Sequence, residues 1–407
     1  MLYYNGPMPF DTRRTSVYDS GQLFEFISKA CVSDIPKKEQ LFQLVRSNPF
    51  VSQQQLADQL GLSRSAVAGH IASLIRERRL LGRAYVLPTA RAVLCIGAAN
   101  LDRKLRTLGA LRMATSNPAS AAETYGGVAR NIAENLARLG TPCALLTAVG
   151  MDSAGDALRN HAEGAGIDMT GSLKLPGAAT GTYTAVLDGA GEMVVALADM
   201  ALYDHITPAF LAGRQPQRSA ASLVVADLNL PEASIALLLG DAQRGGAQLD
   251  GARLVIVAVS QPKMDRLPRD LRGLRLLILN RGELEARAGR ALPTEANVRE
   301  ACRTLQADGA QDVIVTCGAA GVYHTVPGDL HWLPAHEIPA ADIVDVTGAG
   351  DAFSAAVCWS LAQGDADLTR ACERGLQAAA LTVQSPHTVS PALTPDVFSA
   401  PSPQEQD

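Results

Sequence analysis

Asp345-Val346-Thr347-Gly348-Ala349-Gly350-Asp351-Ala352-Phe353, followed by the apolar stretch 354–361, is the segment on which the reading of the fold turns. Glycines on both sides of Ala349 at a helix start let successive backbone N–H groups converge on one point, and the positive end of the helix dipole adds to the pull on an anion. A phosphate fits such a turn. Asp351 stands where that anion site begins, and its carboxylate would repel a resting phosphate unless it has a chemical task. Accepting a proton from an attacking hydroxyl is the natural one. Gly348, Ala349 and Gly350 then supply the backbone that stabilises the transferring charge. Taken alone, the stretch also reads as a tight turn with an acidic helix cap.

Upstream of this segment, short continuous apolar runs alternate with helical patterns. The runs 93–96, 144–149, 223–226, 254–259, 276–279 and 313–316 are those of strands buried on both faces, which predicts an α/β fold with a doubly wound, mostly parallel sheet. Ligands of such a sheet sit at the carboxyl ends of its strands. Residues 183–187 and 193–197 flank Asp188-Gly189-Ala190-Gly191, a hairpin with no place between parallel strands, and are expected to project as a small β lid.

The chain is 407 residues long, with 47% hydrophobic and 19% charged residues. Its mean hydropathy of +0.07 suits a globular protein and excludes disorder. No apolar run reaches the roughly 18 residues of a membrane helix, so no membrane association is expected. Residues 1–20 carry Asp11, Arg13, Arg14 and Asp19 without a central apolar block, unlike a secretory signal, and a cytoplasmic location is expected. The seven cysteines form no C-x-x-C pair and the seven histidines no H-E-x-x-H, so neither disulfides nor a zinc site are expected.

The net charge of −5 is unevenly placed: residues 36–90 hold eight basic and three acidic side chains, a balance of +5, which leaves −10 for the rest. A basic segment on an acidic body suggests a part made for a polyanion. Within it Leu41, Phe42 and Val45 form one helical stripe, Ser52 is a candidate N-cap, Gly61 ends a second helix, and Ser63 caps a third with Val67, Ile71 and Leu74 inward. Residues 76–87 read as a basic hairpin around Gly82. Three helices, a Gly turn before the last and a basic hairpin resemble a winged helix-turn-helix over residues 36–87. The resemblance implies DNA contacts for Arg64, Ser65 and His70 on the third helix and for Arg83 on the wing. A helical docking domain with a solvated basic face is the alternative. The expected organisation is a flexible leader at 1–35, with Met8 a possible start, a DNA-binding domain at 36–90, the α/β domain at 91–398 and a flexible tail at 399–407.

Residues 345–353 closely resemble the D-[TV]-T-G-A-G-D signature of the ribokinase-like (phosphofructokinase B) sugar and nucleoside kinases, and the resemblance runs over 93–395. Gly126-Gly127-Val128-Ala129-Arg130-Asn131-Ile132-Ala133 matches the early G-G-x-x-x-N-x-A motif, Asn280-Arg281-Gly282-Glu283 matches N-x-x-E, and Thr316-Cys317-Gly318 with Gly321 matches the strand-turn beside ATP, with Cys317 where the family more often has Gly. The resemblance implies a kinase using ATP and Mg2+, with Asp351 as base. Asn100, Asp102, Gly126, Gly127 and Asn131 would then lie at the substrate, and Asn280, Thr316, Gly318 and Gly321 at ATP. Glu283 would hold hydrated magnesium through water. It also implies a monovalent cation such as K+ facing Asp345 and Thr347 together with the loop 385–390, and a homodimer formed through the lid. As strand-end residues, Asn100 and Asp102 also read as a simple turn. Within the family the chain looks most like the pseudouridine kinases, which adds Thr180, Tyr183 and Lys263 as base or ribose neighbours and the 5'-hydroxyl of a nucleoside as acceptor. A kinase for another nucleoside, a pentose or a hexose is a rival reading, as is a transcription regulator that uses the kinase fold as a ligand sensor.

Overall fold

The computed structural model describes residues 36–47, 51–80, 91–246, 253–365 and 367–398. The leader 1–35, the tail 399–407, the wing from residue 81 and Arg83 lie outside the described residues. The chain forms two compact units, Met1–Pro88 and Thr89–Asp407.

The first unit holds the helices Lys37–Ser47, Gln53–Leu60 and Arg64–Arg76. Ser52 Oγ accepts the Gln55 N–H at 3.2 Å while the Gln55 side chain accepts the Ser52 N–H at 2.9 Å, a reciprocal cap that starts the second helix. Gly61, at φ +63°, ends that helix in the left-handed conformation, and Ser63 Oγ accepts the Ala66 N–H to start the third. Leu41, Val45, Leu56, Leu60, Val67, Ile71 and Leu74 are buried together, each contributing about 1.5–3 kcal/mol by burial. Ion pairs Lys38–Glu77 and Arg79–Glu39, both at 2.8 Å, tie the first helix to the turn after the third. Lys38 and Arg79 are therefore engaged internally, whereas Arg64 and Ser65 are exposed at the start of the third helix.

In the second unit the strands are β1 (Val93–Ile96), β2 (Asn100–Thr107), β3 (Ala119–Gly126), β4 (Cys143–Leu146), β5 (Ala148–Gly150), β6 (Ile167–Asp168), β7 (Leu173–Leu175) and β8 (Thr182–Leu187). They continue with β9 (Met193–Asp199), β10 (Leu223–Asp227), β11 (Leu254–Val257), β12 (Leu274–Asn280), β13 (Asp312–Thr316), β14 (Gly321–Val326) and β15 (Asp329–Pro334). The main sheet runs β15-β14-β13-β12-β11-β10-β1-β4-β6, parallel from β13 to β6 and antiparallel at β14 and β15. Apolar residues of β1, β10, β11 and β12 alternate between two buried clusters, one on each face, as a doubly wound sheet requires. The expected run 144–149 breaks at Thr147 into β4 and β5.

The lid is larger than its sequence pattern. The hairpin β8–β9 is half of a four-stranded sheet, β3-β2-β8-β9, whose centre is the parallel pair β2–β8. Asn100 and Asp102 thus lie in strand β2 rather than in a strand-end turn. The helix that carries the apolar run 354–361 likewise begins at Ala349, five residues ahead of that run, so Asp351 belongs to its first turn.

Candidate active site

Helix Ala349–Ala362 begins directly after Gly348, whose φ of +88° is left-handed and whose absent Cβ would lie 2.0 Å from the Thr388 carbonyl oxygen. Only glycine meets both conditions. No side chain caps this terminus, so the N–H groups of Gly350 and Asp351 point outward without an intrahelical acceptor. Asp351 is partly exposed, and its Oδ2 accepts the Asn131 side-chain N–H at 2.7 Å. Burial raises its carboxyl to about 7; the Asn131 bond opposes the rise, Asp227 and Asp102 add to it, and Arg130 opposes it.

Asn131 sits in helix Val128–Arg138, which follows directly on Gly127, and Gly127 packs so closely on the turn after β1 that a Cβ would lie 2.4 Å from the Ala98 carbonyl oxygen. Gly126 presses against Asp102, where a Cβ would stand 2.1 Å from Oδ2. The glycine pair therefore brings the helix start and strand β2 against the end of β1. Asp102 accepts a hydrogen bond from the Asn100 side chain at 2.5 Å, and burial raises its carboxyl above the ordinary range. Tyr183 stands beside Asp102 in the β2–β8 pairing. Lys263, in the turn Gln261–Arg266, is half-buried; that burial lowers its ammonium, and Asp227 lies within electrostatic reach of it.

Four residues to which the motif reading gives no role complete the centre. Asp227, buried at the carboxyl end of β10, accepts the N–H groups of Ala98 at 2.9 Å, Ala129 at 3.0 Å and Asn229 at 2.8 Å. It joins the ends of two strands and one helix start. Gly97 makes room for it, since a Cβ there would lie 2.3 Å away. Its one sequence signal is an acid closing an apolar run. Arg130 and its partner Glu134 are buried beneath Asn131. Lys104, from β2, reaches Asp345 Oδ2 at 2.5 Å and Thr347 Oγ1 at 3.4 Å.

That lysine alters the reading of the cation pair. Burial alone would raise the Asp345 carboxyl, but the bonds from Lys104 and from the Thr347 N–H outweigh it and hold the group below its ordinary value. The side chains of Asp345 and Thr347 thus face an ammonium group. Thr180 is also turned elsewhere: its hydroxyl donates to Asp152 at 2.6 Å and accepts the Gly150 N–H at 3.0 Å.

Toward the other end of the sheet, Asn280 caps helix Arg281–Ala288. Its Oδ1 accepts the Glu283 N–H at 2.9 Å, and Glu283 Oε2 accepts the Asn280 N–H at 2.7 Å. N-x-x-E is thus a capping box as well as a candidate metal motif. Glu283 is 3% exposed, too buried for a solvated helix face, and burial raises its carboxyl. Thr316 ends β13, and Gly318 and Gly321, at φ +59° and +137°, make the tight turn into β14. Among the described residues no group of three His, Cys, Asp or Glu side chains could hold a metal ion. None of their helices is long and apolar enough to cross a membrane.

An anion-ready helix start and a raised carboxylate at the carboxyl ends of a doubly wound sheet, under a β lid, define a kinase of the ribokinase-like class. The pattern of the pfkB family carbohydrate kinases matches residues 90–395, and that of an HTH domain matches residues 37–81. The chain is 31% identical over 331 residues to the sugar kinase YeiI of Escherichia coli, covering 81% of this chain and 88% of that one. It is 33% identical to the pseudouridine kinase of the same organism, over 69% of this chain and 91% of that one. A solved carbohydrate kinase from Agrobacterium tumefaciens superimposes with a TM-score of 0.64 at 30% identity, covering 76% and 96% of the two chains. The chain belongs to the pfkB family of carbohydrate kinases, as an ATP-dependent sugar or nucleoside kinase carrying a helix-turn-helix domain.

Proposed function

We propose that the protein transfers the γ-phosphoryl group of ATP to the 5'-hydroxyl of a nucleoside, pseudouridine, and that its helix-turn-helix unit binds DNA. The observation that carries the enzymatic reading is the Asp351 carboxylate, held by Asn131 within the first turn of an uncapped helix and flanked by Asp102. Asp102 and Asn100 accept and donate to sugar hydroxyls, and Tyr183 and Lys263 line the base or ribose side. Asp351 takes the proton of the attacking hydroxyl as its oxygen bonds to the γ-phosphorus and the bond to the bridging oxygen of ADP breaks. The N–H groups of Gly350 and Asp351, without an intrahelical acceptor, meet the charge on the transferring group.

Asn280, Thr316, Gly318 and Gly321, at the ends of β12 and β13 and the turn beyond, border ATP. The donor set fits Mg2+ rather than a metal needing a protein cage, because the phosphates and water supply most ligands of that ion. Glu283, with Oε1 outside its capping box, would hold it through water. When bound, the ion neutralises phosphate charge. The likeness to pseudouridine kinase, at 33% identity, supports the substrate. Turnover of labelled ATP over a panel of nucleosides, pentoses and hexoses tests it: pseudouridine should give the highest kcat/KM, and a faster sugar or nucleoside overturns the assignment.

The basic balance of residues 36–90 and the exposed Arg64 and Ser65, with His70 partly exposed on the same helix, support the DNA reading. A single small module binds weakly, so two copies on a pseudo-palindromic site are required. A second copy of the chain packing on the lid supplies them; Met193, Val194, Val195 and Leu197 of β9 are 61%, 47%, 45% and 62% exposed there. The cytoplasm, where ATP and reduced thiols coexist, is the compartment this reading assigns. Titration against upstream DNA at two salt concentrations is the test, and affinity no higher than for random duplex overturns the DNA reading in favour of a docking domain.

A further inference from the structure

We propose that Arg130 is a positioning residue for Asp351, acting through the Asn131 amide to orient the carboxylate and, by its charge, to favour the ionised form. This role deepens the reading of Asp351 as general base and rests on it.

Arg130 is an unexpected residue where it stands. It is 3% exposed and occupies the first turn of helix Val128–Arg138, where the helix dipole and burial both disfavour a cation. Its guanidinium is nevertheless held on several sides. Nη1 donates to the Tyr125 carbonyl at 2.7 Å and to Asn131 Oδ1 at 2.8 Å. Nη2 pairs with Glu134, one turn along the helix and equally buried, and lies 3.2 Å from His161 Nδ1. Nε is buried without a partner. A packing role alone does not require a charge that is so costly to bury.

The bond to Asn131 has a consequence for the neighbouring carboxylate. An asparagine amide can face either way, but a guanidinium carries donors only, so it must meet the Asn131 oxygen. The NH2 end is thereby turned to Asp351 Oδ2, 2.7 Å away. That hydrogen bond favours the ionised carboxylate and leaves Oδ1 to receive the hydroxyl proton. Charge acts in the same direction. The charged groups that bear on Asp351 are Asp227 from β10 and Asp102 from β2, which push its carboxyl up, and Arg130, which draws it down. With buried Asp227 and half-buried Asp102 both pushing the carboxyl up, removing the one guanidinium that opposes them moves it further toward the protonated form. In that form it cannot accept the proton. Glu134 in turn moderates Arg130, and Arg138, 3.1 Å from Glu134, shares that carboxylate.

The test uses the full chain with ATP, Mg2+ and the best nucleoside of the panel. In Arg130→Met the acid limb of the kcat/KM profile should move up by about one pH unit, and the 13C titration of the Asp351 carboxyl should move with it. Arg130→Lys should return the limb most of the way while kcat stays low, because an ammonium lacks the fork that sets the amide. Glu134→Gln, which leaves Arg130 in place, should move the limb down, and it serves if Arg130→Met does not fold. A uniform loss of rate with an unmoved limb in the folded variants overturns the role. Asp351→Asn separates this from the parent reading: if it still turns over, the base assignment fails and this role with it, whereas an inactive Asp351→Asn beside unmoved limbs removes the Arg130 role alone.

Discussion

Replacing Asp351 by Asn should separate activity from stability in opposite directions. Asn keeps the side-chain shape, and its oxygen can still accept the Asn131 N–H, but it cannot take a proton. The loss of a general base lowers kcat by on the order of a hundredfold to ten-thousandfold. Stability should rise. The Asp351 carboxyl sits near 7 in the folded chain against an ordinary value of 3.8, so the folded state binds its proton more tightly than the unfolded state does. A raised carboxyl contributes stability that is present below the lower value and lost as pH climbs through the upper one. By linkage that loss amounts to about 4 kcal/mol above pH 7, and the Asn variant avoids it. Above pH 7 the variant should therefore melt several degrees higher than wild type, with the gap closing toward pH 4. Coupled ADP release and thermal melting between pH 4 and 9 measure both. A variant that turns over within a few fold of wild type, or melts no higher at pH 8, would falsify the raised-carboxylate mechanism.

Lys104→Met breaks the pair with Asp345, whose members are 40% and 29% exposed, so stability should change by less than about 1 kcal/mol. Its effect should appear instead in KM, which is expected to rise tenfold as the lid loses its hold on the anion loop; an unchanged KM argues against a latch. Gly348→Ala forces a Cβ against Thr388 at a left-handed φ and should cost about 2–3 kcal/mol, with turnover lost, measured by denaturant unfolding and ADP release. Deleting residues 1–88 should leave phosphorylation within a few fold of the full chain, since the unit 89–407 contains the whole candidate site. Arg64→Ala should reduce the slope of log K against log salt by roughly 0.9 for any duplex, and an unchanged slope means that Arg64 touches no phosphate.

The parts of this protein that could be read from its sequence are those whose cause is local. Gly348 must be glycine because of its own φ, and Asp351 follows it by three positions, so the anion turn and its carboxylate are written in nine consecutive residues. Strands β1, β10, β11 and β12 announce themselves because both faces are buried and each carries a continuous apolar run of four residues. Strands β2 and β3 gave no such sign. Asn100–Thr107 carries Arg103, Lys104 and Arg106, and Ala119–Gly126 is mostly exposed, so neither shows a burial period. They are strands because of their partners, and a partner distant in the chain leaves no mark on either segment. The same reason hides Asp227, which serves N–H groups from residues near 98 and 129, and Lys104, which meets Asp345 across 241 positions. Thr180 shows the reverse error: a hydroxyl at the expected place in the chain, turned by Asp152 to a structural task.

The parallel pairing of β2 with β8 also sets an order of manufacture. Leu101 finds its partner only when Thr182 has been made, so the lid sheet cannot close while the ribosome is still within the first half of the sheet. Asp345 and Asp351 arrive far later, after every strand of the main sheet. The three-helix unit, by contrast, is complete by residue 80 and can fold as soon as it emerges. Any chain that stops before the anion loop therefore carries a finished helix-turn-helix and no working catalytic centre.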